Sequence, residues 1–99
     1  MKLAESIDLF RRRFRFTAKD DGVLQVFVDL KPTKDTFYVV VSDNTIDTER
    51  TRIQLSYMRV LNDVDNVAIK VITESSSPVK SDYHLIWTRE GLATAAPKA

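Results

Sequence analysis

Hydrophobic and polar positions change their period several times along this chain, and the changes divide it into short elements. Leu3, Ile7 and Phe10 recur at i, i+4 and i+7 and share one face of a helix. Glu5 and Asp8 suit the positive N-terminal end of that helix, so the pattern predicts a helix over residues 2–10. Phe14 would extend the same face. Against that, Phe14 and Phe16 alternate with Arg13 and Arg15, and the polar run that follows ends in Asp21-Gly22. Two β-rich runs around an Asp-Gly turn are a hairpin signal, so strands are expected near residues 12–18 and 23–30.

Alternating signals continue. Residues 31–35 hold Pro32, which lacks an amide donor, and predict a loop. Residues 36–41 are aromatic and β-branched throughout, as in a central strand covered on both faces. Residues 42–49 are polar and predict a loop. Ile53, Leu55 and Tyr57 alternate with Gln54, Ser56 and Met58, which predicts a strand over residues 52–60. After a turn at residues 61–66, Val67, Ile69 and Val71 form the next inward set. Residues 75–78 read as a loop, and Tyr83, Leu85 and Trp87 then alternate with His84, Ile86 and Thr88. The connections look too short for crossover helices.

The resulting expectation is a mainly β fold with a short N-terminal helix and about six antiparallel strands in a small sandwich or barrel. Residues 1–90 are expected to form a single β-rich domain, with residues 91–99, rich in small side chains, as a flexible tail.

Composition narrows the chemistry more than it names it. Ninety-nine residues suit one domain, and a net charge of +1 predicts neither a polyanionic nor a polycationic partner. There is no cysteine, which removes disulfides, thiolate metal sites and cysteine nucleophiles. No apolar run approaches the ~20 residues of a membrane helix, and the N-terminus lacks the apolar core of a signal peptide. A cytoplasmic location is expected, or a virion if the protein is viral, with no membrane partner.

One stretch departs from the average. Residues 1–19 carry six basic and two acidic side chains, whereas residues 20–99 carry nine basic and twelve acidic. On a strand, Arg11, Arg13 and Arg15 would share a face roughly 6.5–7 Å apart at ~3.3 Å per residue, a spacing like that of phosphates on an extended nucleic acid. With Arg12, and with Phe14 or Phe16 to stack bases, they form a candidate nucleic-acid site. The blander account puts the phenylalanines in the core and the arginines in solvent, paired with carboxylates such as Asp29.

Other constellations are weaker. The acids of residues 42–49 and 62–66 could offer oxygens to a cation, but lack the glycine and the spacing of a helix–loop–helix calcium site and suit ordinary turns. His84 is the sole histidine, and its neighbours Ser81 and Asp82 cannot converge on it from one strand. Glycines only at 22 and 91 exclude a glycine-rich phosphate loop. Ser77-Pro78 could be a phosphorylation site, though a polar turn explains it. No catalytic residue, metal or cofactor is assigned.

The function expected from these features is non-catalytic: a structural or assembly subunit, viral or phage in type, acting through protein contacts and above all self-association. Tyr38, Val40, Tyr83 and Trp87 would form its interface. The alternative is a nucleic-acid-binding module using Arg11, Arg12, Arg13, Phe14, Arg15 and Phe16. The expected partners are thus a second copy or another protein, with nucleic acid as the alternative.

Overall fold

The computed structural model of the chain describes residues 2–14, 18, 21–76 and 82–89. Helix α1 spans Leu3–Arg13, strands β1 and β2 span Val23–Asp29 and Asp35–Val41, helix α2 spans Asp47–Val60, and strands β3 and β4 span Val67–Thr73 and His84–Thr88. The four strands form one sheet in the order β3-β2-β1-β4. β1 runs antiparallel to β2 and β4, while β2 and β3 are parallel. The fold is therefore α/β with a mixed, open sheet. The expected mainly β sandwich or barrel of six antiparallel strands is not formed.

Two segments account for the difference. Residues 52–60 are helix, because Ile53 and Tyr57 satisfy both an alternating and a helical period, and Leu61 completes the helical set at i, i+4, i+8. All three are buried, whereas Leu55, which a strand would turn inward, is 54% exposed. Charge reinforces the helix: Asp47 and Glu49 occupy its positive end and Arg59 its last turn. Arg50 pairs with Asp47, and Arg52 with Glu49 at 2.6 Å, each one turn apart. As a helix, α2 carries the chain back across the sheet, so β3 pairs in parallel with β2.

The expected strand over residues 12–18 does not form at its described residues, 12–14 and 18. α1 runs through Arg13, Phe14 N–H donates to Phe10 O at 2.8 Å, and Ala18 N–H donates to Phe14 O at 2.7 Å. Leu9 and Phe10, with Phe14 one turn on, bury one side of α1, and at its start Lys2 N–H donates to Glu5 Oε1 at 2.7 Å. The expected tail at residues 91–99 lies outside the described residues.

Both helices lie on the same side of the sheet. Leu9, Phe10 and Phe14 from α1 and Ile53 and Tyr57 from α2 share one apolar cluster with Val26, Val28, Phe37, Val39, Ile69 and Ile86. Phe14 stacks on Tyr57 with ring centroids 4.5 Å apart, and Phe10 lies 6.0 Å from Trp87. The residues that alternate with this set, Phe27, Tyr38, Val40, Lys70, Ile72 and Leu85, face the other way. No described helix covers that second face, and none is long and apolar enough to cross a membrane.

Tyr57 is fully buried, yet its hydroxyl has no partner among the described residues. Burial and then the nearby Asp21 carboxylate hold its ionisation far above the ordinary phenol value. An unpartnered buried hydroxyl costs ~1–3 kcal/mol relative to a hydrogen-bonded one. Tyr57→Phe is therefore expected to keep or raise stability in urea unfolding, and Tyr57→Ala to lose ~3–5 kcal/mol. A loss above about 1 kcal/mol for Tyr57→Phe would show that the hydroxyl does have a partner.

Candidate functional site

Helix formation disperses the arginines that a strand would have aligned. On α1, Arg11, Arg12 and Arg13 follow one another around the axis instead of sharing a face. Arg11 is exposed, and Arg12 pairs with Asp8 at 2.9 Å. Arg13 grips Asp63 with two bonds of 2.7 and 3.2 Å and also donates to Val60 O at 3.0 Å, fastening α1 to the end of α2. That guanidinium holds the Asp63 carboxyl below its ordinary range. Phe14 is 1% exposed and stacked on Tyr57, so it has no face to offer a base. Arg15 and Phe16 lie outside the described residues.

The second expected group divides differently. Tyr38, Val40 and Tyr83 gather on the face away from the helices, where Tyr38 and Val40 are buried, whereas Trp87 points into the core. Tyr38 and Tyr83 stack nearly parallel, with centroids 5.0 Å apart and planes 11° apart, and their hydroxyls share a long bond of 3.4 Å. That bond, then burial, holds the Tyr38 phenol above its ordinary value.

Charge surrounds this pair. Lys70 lies opposite Tyr38 in the parallel register, is exposed, and has no ion pair among the described residues. At the end of β1, Lys31 Nζ sits 3.1 Å from Asp29 Oδ2, and the Lys31 N–H donates to Asp35 Oδ1 at 3.2 Å. Asp29 raises the Lys31 pKa first by hydrogen bonding and then by its field, with Asp82 adding a smaller field. Beside them the chain turns tightly: Asp35 N–H donates to Asn66 O at 2.9 Å, and Asn66 adopts φ +60°, a left-handed conformation that asparagine tolerates. Two ammonium groups, the Asp29 carboxylate and a tyrosine stack thus gather on this face. Of these, the lysines escape sequence reading, because Lys70 meets Tyr38 only through a parallel pairing that requires α2 to be helix, and Asp29, expected to pair with an arginine, pairs with Lys31.

Several other acids are engaged elsewhere. Asp43 Oδ1 accepts from Ser75 N–H and Oγ, both at 2.9 Å, which lowers its pKa. Arg52 bridges Glu49 and Asp21, at 2.6 and 2.9 Å. His84 is exposed on the edge strand β4. Among the described residues, no three His, Asp or Glu side chains converge as a metal site would require.

No family model and no curated protein matches the chain. Among solved structures, the fold is similar to that of a putative nucleotidyltransferase from Sulfolobus solfataricus, with a TM-score of 0.55 and 17% identity over 87% of this chain and 84% of that one. At this identity the likeness establishes a shared fold. It also removes the basis of the expected function. The expectation of a non-catalytic assembly subunit rests on an antiparallel β fold and on the lack of recognisable catalytic residues, whereas the observed fold is one that a protein named as an enzyme also uses. Neither the structural-subunit reading nor the exclusion of an enzyme stands.

Two outcomes follow from the ionisations. In a Tyr57→Phe background, Tyr38 should titrate above an ordinary tyrosine at 295 nm, and Tyr83→Phe should return it toward the ordinary value; no change would mean that the hydroxyl contact is not formed in solution. Because the folded Asp63 pKa is depressed, its contribution to stability is present above the ordinary carboxylate range and is lost as pH falls through the lowered value. Asp63→Asn is expected to flatten this acid limb of the stability profile, and an unaltered limb would contradict the Arg13–Asp63 contact.

Proposed function

We propose that this chain binds a nucleotide on the face of its sheet away from the helices, at the end where β1 stops, and that it serves a nucleotidyl-transfer reaction. The observation that carries the binding is the Tyr38–Tyr83 stack flanked by Lys70 and Lys31. Tyr83 is half-buried, with one ring face against Tyr38, which leaves its outer face for a base. Lys70, with no carboxylate partner among the described residues, is the stronger contact for phosphate oxygens, since Lys31 is already shared with Asp29. Asp29 can in turn accept from a ribose hydroxyl or a base amino group.

The reaction rests on the fold shared with the Sulfolobus protein, through that protein's name alone. Divalent cations held by carboxylates commonly carry phosphoryl chemistry. The described residues do not assemble such a cage, and Asp29 is bonded to Lys31, so no metal-borne step is assigned to them. What they supply is stacking, positive charge and a fixed acceptor. Cytoplasmic action follows from the same reading, because nucleoside triphosphates are held there.

Calorimetric titration with ATP, GTP, CTP and UTP tests the binding. At least one should bind, and Tyr83→Ala should weaken it by roughly 5- to 150-fold, the equivalent of ~1–3 kcal/mol of base stacking. Lys70→Ala should weaken it and reduce its salt dependence. Absence of binding, or both variants binding like the parent, would overturn the assignment. Pyrophosphate release from the bound triphosphate, compared between the parent and a Tyr83→Ala/Lys70→Ala double variant, tests the reaction separately.

A further inference from the structure

The other side of the sheet holds a second concavity that the nucleotide reading leaves unused. α2 and β3 enclose a groove of about 470 Å³. Met58, Leu61, Val64, Val67 and Ile69 supply its apolar wall, and Lys34 is its single charged residue. Met58 is 48% exposed there, a flexible and polarisable side chain on an open surface.

This groove runs beside a free strand edge. β3 is the outermost strand, and no described strand pairs beyond it. Asp35 N–H donates to Asn66 O and Glu74 N–H donates to Val41 O, so the even-numbered residues of β3 turn their amides toward β2. In a parallel ladder the intervening residues Val67, Ile69, Val71 and Thr73 then direct both N–H and C=O outward. Seven residues of apolar strand with one lysine form a template for another extended backbone.

We propose that the β3 edge and this groove bind an extended peptide segment of another protein, one with apolar side chains at alternate positions and a carboxylate at the end beside Val67. Main-chain bonds to Val67, Ile69 and Val71 provide the pairing, alternate side chains enter the apolar groove, and Lys34 meets the carboxylate. Charge selects the occupant: the groove lining has one positive and no negative side chain, and Lys34 has no ion pair among the described residues. Neither residues nor surface are shared with the Tyr38–Tyr83 site.

Fluorescence anisotropy with two labelled synthetic peptides tests this. Both alternate valine with threonine, one ending in glutamate at each terminus and the other in lysine. The glutamate peptide should bind the parent at least 10-fold more tightly than the lysine peptide, and Lys34→Glu should reverse that order. Val71→Pro, which removes an outward N–H but no bond to β2, should abolish binding while far-ultraviolet circular dichroism is unchanged. Should that variant unfold, the Lys34→Glu reversal still decides. Equal binding of the two peptides or no binding overturns the proposal. So does displacement of the peptide by ATP, which would assign the groove to nucleotide, or a dimer in light scattering that Val71→Pro dissolves, which would assign the edge to a second copy.

Discussion

The stacking of Phe14 on Tyr57 fixes the arrangement on which the other features depend. It joins the C-terminal end of α1 to the last turn of α2, with ring centroids 4.5 Å apart, above the helix-covered face of the sheet. A four-stranded sheet offers two faces, and two helices could have covered one each. With both helices bound to each other by buried aromatics, they share one face, and no described helix lies on the second. The Arg13 grip on Asp63 and Val60 O repeats the connection at the surface, where an exposed ion pair contributes little stability of its own but marks the same junction.

The face away from the helices inherits its character from strand alternation. Every second residue of β1, β2 and β3 must point to it: Phe27 and Ile72 are half-buried there, while Tyr38 and Val40 are buried. Tyr83 covers Tyr38 from outside the strands and leaves aromatic surface beside Lys70, an arrangement suited to a flat, anionic ligand. A register shift in the β1–β4 pairing breaks that alternation, so Ile86 and Trp87 both turn inward, where Phe10 meets Trp87, and this separates it from Tyr38, Val40 and Tyr83.

The sequence carries the strands plainly and the helices ambiguously. β1, β2 and β3 sit within apolar, β-branched runs bounded by Asp-Gly, Pro32 or polar turns, and periodicity locates each of them. α2 is ambiguous because positions 53 and 57 belong to both periods. The deciding information lies in the polar residues, in the acids at 47 and 49 and in arginines spaced one turn after them. Misreading that helix removes the crossover, turns a parallel pair into antiparallel neighbours, and hides the contact of Tyr38 with Lys70. The arginine cluster fails for a related reason: Phe10 and Phe14 are one helical turn apart, and burying both keeps the segment helical. Of the site itself, Tyr38 and Tyr83 are legible as apolar positions, but their stacking depends on a register that no local pattern encodes.

Chemical-shift mapping of the amides during titration with a nucleoside triphosphate tests most directly the claim that both helices share one face and leave the other for ligand. The account predicts shifts concentrated at Lys31, Tyr38, Lys70 and Tyr83, with Phe10, Ile53 and Tyr57 unmoved. Shifts centred on α1 or α2, with the tyrosine pair silent, would contradict it.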